Sequence, residues 1–168
     1  LYGTSINGGV NDRGTIFRVY KNGTGWQLLR SFSNNSTSAI APKGTLVEGP
    51  DRILYGLADG GPEGDGAIFK INRDGSGYSV IKSWSYTNGG IYRPGQDLSI
   101  KDGLLYGTCI AGGTGSNGGV FSISRTGTDY SMIVQFPYYG IDSKPPATGL
   151  VHSSDGLLYG AGSGDTSF

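Results

Sequence analysis

The sequence predicts an all-β protein built from repeats, and three observations support this class. The phrase Leu-Tyr-Gly begins at residues 1, 54, 105 and 158, which sets a repeat of about 52 residues. Glycine is abundant, with 32 residues, yet it shows no three-residue period of the kind that collagen requires. Short apolar runs return between the glycines, as expected for short strands joined by tight turns.

Each repeat contains the same elements in the same order. A Gly-Gly loop follows Leu-Tyr-Gly and leads to a second apolar run that ends in phenylalanine. A hairpin turn comes next, and its Asn-Gly or Asp-Gly pair suits the positive φ of tight turns. A return strand, a loop containing proline and a further strand complete the unit. The phenylalanines are Phe17, Phe69 and Phe121, the hairpin glycines are Gly23, Gly75 and Gly127, and the further strands lie near Leu46, Leu98 and Leu150.

Four short antiparallel strands per repeat predict the blades of a β-propeller. A β-solenoid is the alternative, but its coils are usually shorter and lack a hairpin turn in each repeat. We therefore expect one repeat domain over 1–168, with partial blades at 1–44 and 148–168 and blades at 45–96 and 97–147. This forms an incomplete ring, because propellers usually need four or more blades to close. We expect the chain to be a fragment of a longer chain or to assemble with other copies, with the strand near Leu150 completing a neighbour's first blade.

The repeated motifs also resemble a known family. Leu-Tyr-Gly-Thr, the Gly-Gly loop, Gly-Thr-Ile-Phe, a turn with glycine and a closing Ser-Phe are similar to the GloVer-type tandem repeats of choice-of-anchor proteins. The resemblance covers essentially the whole chain, although the second copy has Leu57 in place of threonine and Trp84 in place of phenylalanine. It implies a propeller-like protein that is secreted or held at the bacterial cell surface, and it implies no established activity.

Composition limits the classes of partner. The 13 basic and 13 acidic residues balance, and lysine and arginine do not cluster, which argues against nucleic acid as a partner. No apolar run approaches the length of a membrane span, so we expect no membrane insertion. The single cysteine, Cys109, excludes an intrachain disulfide framework. Because the sequence begins with Leu1 inside a repeat, we expect a chain that is processed, cut or incomplete.

Recurring residues are expected to build the scaffold rather than to carry chemistry. The aromatic residues that recur at fixed strand positions predict a core between blades, and the recurring aspartates Asp51, Asp102 and Asp155 suit a turn. Cys109 aligns with small residues, which predicts a packed thiol. His152, the only histidine, has no second histidine to form a paired metal or catalytic site. We expect no catalytic residue, no metal site and no cofactor.

Recognition is expected in the segments that do not recur, because loops on a rigid scaffold commonly carry binding sites. The loops at 33–38, 86–92 and 137–142 occupy the same place in successive repeats and combine tyrosine with small polar residues, which suits carbohydrate or protein surfaces. Glycosylation sequons would matter only in a eukaryotic secreted protein. The candidate ligand-binding residues are Tyr86, Asn88, Tyr92, Tyr138, Tyr139 and Asp142, and the sequon asparagines are Asn22, Asn34 and Asn35.

The leading functional prediction is a non-enzymatic extracellular or cell-surface module for binding or adhesion. Its sharpest form is carbohydrate recognition through loops on one face. The first alternative is a structural subunit that assembles into rings or filaments by sharing blade strands. The second is a fragment of a propeller lyase or hydrolase whose catalytic groups lie elsewhere.

Overall fold

The computed structural model describes residues 1–88, 90–137, 146 and 148–162. These residues form antiparallel sheets that follow one another along the chain, and none of the sheets closes on itself. Sheet one contains β1 (Tyr2–Ser5), β2 (Thr15–Arg18) and β3 (Gln27–Ser31). Sheet two contains β4 (Ile40–Glu48), β5 (Ile53–Gly60), β6 (Ala67–Asn72) and β7 (Ser79–Ser83). Sheet three contains β8 (Ile91–Pro94), β9 (Ser99–Lys101), β10 (Leu104–Gly112), β11 (Gly119–Ser124) and β12 (Ser131–Gln135). Sheet four contains β13 (Val151–His152) and β14 (Leu158–Tyr159).

The first strands of sheets two and three differ from the single short strand that the repeat predicts. In sheet two, β4 is one long strand that begins at Ile40 and shifts register between Lys43 and Val47. In sheet three, the same position is divided into β8 and β9, which both pair with β10. Ala41, the second residue of β4, and Arg93, the third residue of β8, share a positive φ, of 54° and 56°. Both strands begin earlier than Leu46 and Leu98 indicate.

The glycine of Leu-Tyr-Gly makes room for the recurring phenylalanine. Gly3, Gly56 and Gly107 lie directly opposite Phe17, Phe69 and Phe121 on the neighbouring strand. A Cβ atom at these glycines would lie 2.6, 2.5 and 2.5 Å from the tip of the facing ring. Because such contacts are too close for any side chain, the motif is explained by packing rather than by chemistry.

The apolar core lies between successive sheets. One cluster joins sheets one and two and includes the fully buried Ile16, Phe32 and Phe69. A second cluster joins sheets two and three and includes Trp84, Phe121 and Cys109. Most of the recurring aromatic residues therefore lie in the core or pack against it, as the sequence predicts, whereas Trp26 is exposed and Phe136 is only partly buried.

Antiparallel pairing places the connections at two opposite ends of the sheets. One end carries the β1–β2, β3–β4, β5–β6 and β7–β8 connections, and we call it the loop end. The pairs Ile40–Gly60 and Ile91–Gly112 show this, because they join the start of β4 to the end of β5 and the start of β8 to the end of β10. The β2–β3, β6–β7 and β11–β12 hairpin turns lie at the other end, which we call the hairpin end. The described non-recurring segments, which lie in the β3–β4 and β7–β8 connections, thus share the loop end, and the recurring hairpin turns lie away from them.

Candidate functional site

The loop between β7 and β8 presents one of the predicted tyrosines to solvent. It begins with a 3₁₀ turn at Tyr86–Asn88, and the Tyr86 side chain is 66% exposed. The backbone N–H of Tyr86 donates a hydrogen bond of 2.8 Å to the Asp65 carboxylate in the β5–β6 loop. This bond fixes the start of the turn against the neighbouring loop, so Tyr86 stands on an anchored support.

The other predicted ligand-binding residues have different surroundings. Tyr92 lies in β8, pairs with Ala111 and packs partly buried against the core between sheets two and three. Its ring covers Gly112, where a Cβ atom would lie 2.6 Å from the ring edge. Asn88 belongs to the same turn as Tyr86. Tyr138, Tyr139 and Asp142 lie outside the described residues.

A depression of about 520 Å³ lies along β7, and the β5–β6 loop that anchors Tyr86 forms part of its wall. The β3–β4 loop contributes Ser36 and Thr37, the β5–β6 loop contributes Pro62 and Glu63, and the outer strand of sheet two contributes residues 78–83. The Ser83 hydroxyl accepts a hydrogen bond of 3.0 Å from the Glu63 backbone N–H and thereby joins the strand to the loop. Sequence comparison between repeats drew attention to residues 33–38, but it gave no signal for Glu63 or Lys82, which come from recurring elements.

His152 lies on β13, and its ring packs against the neighbouring sheet three. Its ring meets Tyr106 edge to face, with 5.0 Å between the ring centroids. Burial, followed by the positive charge of Lys101, lowers the pKa of His152, and Asp102 opposes this shift. Within the described residues, its Nε2 atom is buried without a hydrogen-bond partner. The position favours a neutral ring that contributes to packing.

Cys109 is fully buried in the core between sheets two and three. Burial raises the pKa of its thiol far above the ordinary value, and the weaker influence of Lys43 and Lys82 does not reverse this shift. A thiol that stays protonated is a poor nucleophile. The small packed side chain that the sequence predicts at this position is confirmed.

The recurring aspartates act in turns and in contacts with tyrosine. The Tyr55 hydroxyl donates a hydrogen bond of 2.9 Å to Asp51, and Arg125 of the next repeat also contacts this carboxylate. Burial and the Asp51 carboxylate raise the pKa of Tyr55 to about 12. In the last copy, the Tyr159 hydroxyl donates a bond of 3.0 Å to Asp155 without an arginine. These groups stabilise the scaffold, as expected from their recurrence.

The sequon asparagines lie in exposed turns. Asn22 accepts hydrogen bonds from the backbone and the hydroxyl of Thr24, at 3.1 and 2.8 Å. Asn35 accepts the same pair of bonds from Thr37, both at 3.3 Å, and Asn34 is exposed beside it. Such bonds close the turn locally, which accounts for these residue types without any modification.

Metal-binding clusters and membrane-spanning helices are both absent from the part of the chain that the structure describes. No group of three or more histidine, cysteine, aspartate or glutamate residues in the described ranges is arranged to hold a metal ion. Within those same ranges, no helix has the length and apolar character to cross a membrane.

Comparison with known proteins identifies the family and supports a propeller-like fold. A chain of the crystal structure of a nidogen/laminin complex superposes with a TM-score of 0.64 over 91% of this chain, at 16% sequence identity. The match spans 50% of the length of that chain, so it shows a shared fold only. No curated protein matches the sequence. The sequence profile of the Gloeobacter/Verrucomicrobia repeat matches residues 1–167, and this chain belongs to that repeat family.

Proposed function

We propose that this chain is a non-catalytic, extracellular binding module that recognises carbohydrate through its loop end. The proposal separates a scaffold from a recognition surface. Recurring residues form the core, the turns and the sheet-to-sheet contacts. The β3–β4 and β7–β8 loops, which differ between repeats, share one end of the sheets, where they extend a surface without disturbing the core.

The exposed Tyr86 on its anchored turn is the observation that carries the proposal. An aromatic side chain with 66% exposure contributes flat apolar area on which a sugar ring can stack. Because the backbone of the turn is held by Asp65, little conformational freedom is lost when a ligand binds.

The neighbouring depression supplies polar groups that suit the same ligand. Ser36 and Thr37 bring hydroxyl groups, and Lys82, whose ammonium lies 5.0 Å from the centroid of the Tyr130 ring, also lines the depression. Hydroxyl groups donate and accept hydrogen bonds, as the hydroxyls of a sugar do. The structural neighbour was crystallised in a nidogen/laminin complex, so a protein surface is the second class of ligand to test.

Binding to a glycan array, followed by titration of the retained glycans, tests the proposal. We expect Tyr86→Ala to lower the affinity about tenfold, because it removes a stacking surface. Tyr20→Ala is the matched control, since Tyr20 is also exposed but lies at the hairpin end. The control is expected to bind as the unchanged chain does.

Two results would contradict the proposal. Absence of retention on every glycan would remove carbohydrate as the ligand class. Equal loss of affinity in Tyr86→Ala and Tyr20→Ala would show that the loop end has no special part in binding.

A further inference from the structure

Strand β8 holds an arginine in a backbone conformation that arginine rarely adopts. Arg93 has a φ of 56°, which lies in the left-handed region that favours glycine. Its counterpart in sheet two is Ala41, with a φ of 54°. Both residues lie near the start of an inner strand, and each directly precedes a proline. The conformation therefore recurs between these repeats, whereas the arginine does not.

A backbone hydrogen bond explains why the conformation recurs. The N–H of Ala41 donates a bond of 2.9 Å to the carbonyl oxygen of Arg13 in the β1–β2 loop. The N–H of Arg93 donates a bond of the same length to the carbonyl oxygen of Asp65 in the β5–β6 loop. Arg13 and Asp65 occupy the same place in their repeats. The left-handed residue thus ties each inner strand to the preceding sheet, and this role needs only its backbone.

The scaffold alone does not account for an arginine at this position. A side chain other than glycine is strained at a positive φ, because its Cβ atom crowds the following carbonyl group. Sheet two keeps this strain small in bulk, with the methyl group of Ala41. The Arg93 side chain is exposed, so it has no part in core packing. Strained residues of this kind are found preferentially at functional sites.

Arg93 lies beside the turn that carries Tyr86, and one residue holds both. The Asp65 carbonyl oxygen accepts the bond from the Arg93 N–H, and the Asp65 carboxylate accepts the 2.8 Å bond from the Tyr86 N–H. Both the tyrosine and the arginine side chain are exposed. An aromatic ring and a cation therefore share one anchor at the loop end.

The Arg93 guanidinium is available to a ligand. Among the residues that the structure describes, none of the ion pairs involves it. The β5–β6 loop has two acidic residues: Asp65 is bonded to the Tyr86 backbone, and Glu63 lines the depression along β7. A guanidinium offers a planar set of N–H donors that matches the two oxygens of a carboxylate.

We propose that the loop end selects acidic carbohydrate, with the sugar ring stacked on Tyr86 and a carboxylate of the same ligand bound by Arg93. Two N–H groups of the guanidinium donate to the two carboxylate oxygens. Arg93 is then the residue that determines specificity, and its strained backbone is retained for the side chain that it presents. The inference rests on the proposed carbohydrate recognition and adds the chemical class of the sugar.

Binding of galacturonic acid oligosaccharides and of their methyl esters tests this preference. The ester keeps the sugar ring and removes the negative charge, so the two ligands form a matched pair. We expect the acid to bind about tenfold more tightly than the ester, because a charge-assisted bidentate contact is lost in the ester. The difference should shrink at high salt concentration, which screens the attraction between exposed charges.

Two variants of Arg93 assign the preference to this residue. Arg93→Gly should weaken binding of the acid about tenfold and leave binding of the ester unchanged. It should also raise the melting temperature, because glycine adopts the positive φ without strain. Arg93→Gln, which keeps most of the side chain but not its charge, should lose the acid preference as well. Ala41→Gly is the matched control, which should raise the melting temperature and keep the preference.

Tyr86→Ala keeps the failure of this inference apart from the failure of the proposed function. It should weaken binding of the acid and of the ester alike. Equal binding of acid and ester, both weakened in Tyr86→Ala, would overturn the acid preference and leave carbohydrate recognition in place. Absence of binding to every glycan would overturn both. An acid preference that survives in Arg93→Gly and Arg93→Gln would show that Arg93 does not select the ligand.

Discussion

Gly56 shows how a single missing side chain sets the packing of a repeat. Its backbone lies opposite Phe69, and a Cβ atom there would lie 2.5 Å from the ring tip and 2.6 Å from Leu46. Phe69 has little room to yield, because it is fully buried within the core between sheets one and two. The most regular motif of the sequence is thus explained by the space that an aromatic ring needs.

We expect Gly56→Ala to lower the free energy of unfolding by about 1–3 kcal/mol, because it overpacks a buried site. Chemical denaturation followed by tryptophan fluorescence measures this loss. Gly160→Ala is the matched control from the same motif, since the nearest atom to its added Cβ is in Leu150 at 2.9 Å and no phenylalanine of the described residues lies within 4 Å. Equal losses in the two variants would show that the facing ring is not the cause.

The Tyr55–Asp51–Arg125 group makes stability depend on pH at two extremes. Burial and the Asp51 carboxylate raise the pKa of Tyr55 to about 12. Tyr55 therefore ionises at a lower pH in the unfolded chain than in the folded chain. Its contribution to stability is present below about pH 10 and lost between about pH 10 and 12.

Asp51 acts at the acid extreme. Burial alone would raise its pKa, but the hydrogen bonds from Tyr55 and Ile53 and the charge of Arg125 outweigh burial, so the pKa of Asp51 is lowered. The contribution of Asp51 is present above about pH 4 and is lost as the pH falls through its folded-state value.

We expect Asp51→Asn to move the pKa of Tyr55 from about 12 back towards its ordinary value, because the negative acceptor is removed. The ultraviolet absorbance of phenolate measures this pKa. Tyr55→Phe is made in the unchanged chain and in Asp51→Asn, and its titration curve is subtracted from that of the matching protein, so that the difference belongs to Tyr55. Asp155→Asn serves as the comparison, since Asp155 bonds to the exposed Tyr159. An unchanged pKa of Tyr55 in Asp51→Asn would contradict the assignment.

At the scale of elements, the inner strands of sheets two and three are linked by one aspartate. The Asp97 carboxylate accepts two hydrogen bonds of 2.7 Å from Thr45, one from the backbone N–H and one from the hydroxyl. Thr45 lies where β4 changes register, so its N–H is not used by the ladder to β5. A side chain of sheet three thus satisfies a backbone group that the irregular strand leaves unpaired.

We expect Asp97→Ala to lower the free energy of unfolding by about 1 kcal/mol, because two hydrogen bonds at an exposed site lose their acceptor. Thermal unfolding monitored by circular dichroism measures the change. Glu48→Ala is the control, since Glu48 pairs with Arg73 at the surface, where both side chains are exposed, and such pairs contribute little. A loss in Asp97→Ala no larger than in Glu48→Ala would refute the linking role.

The elements show which parts of the fold the sequence could predict. The hairpins were predictable because Asn-Gly and Asp-Gly turns are local signals, and the paired strands β5 and β6 follow the apolar pattern. The division of the inner strand into β8 and β9 was not predictable. It depends on contacts with other strands, such as the 2.7 Å hydrogen bond from the Gly95 N–H to the Thr108 carbonyl.

The candidate site was predictable only in part, and for a related reason. Tyr86 was found because its loop does not recur, and non-recurring loops point to recognition. Glu63 and Lys82 were missed, since they belong to elements that every repeat shares and approach Ser36 only in three dimensions. Tyr92 resembled Tyr86 in sequence, but its place on β8 puts its ring against β10.

On the scale of the whole molecule, stability is expected to rise from the ends of the chain to its middle. Sheets two and three share a buried core, whereas β13 and β14 form a ladder of two residues each with Val151 and Tyr159 exposed. A two-stranded ladder is only marginally stable in water, and local openings begin in such regions. The two cores that join sheets one, two and three are therefore expected to open less readily than the β13–β14 ladder.

Amide hydrogen exchange measured by mass spectrometry tests this gradient. We expect peptides that cover β5, β6, β10 and β11 to exchange slowest, because these strands have neighbours on both sides and buried side chains. Peptides that cover β13 and β14 should exchange fastest among the strands, and Leu158→Pro should change only their exchange. Slow exchange of β13 would show that β14 holds it firmly, and it would contradict the predicted gradient.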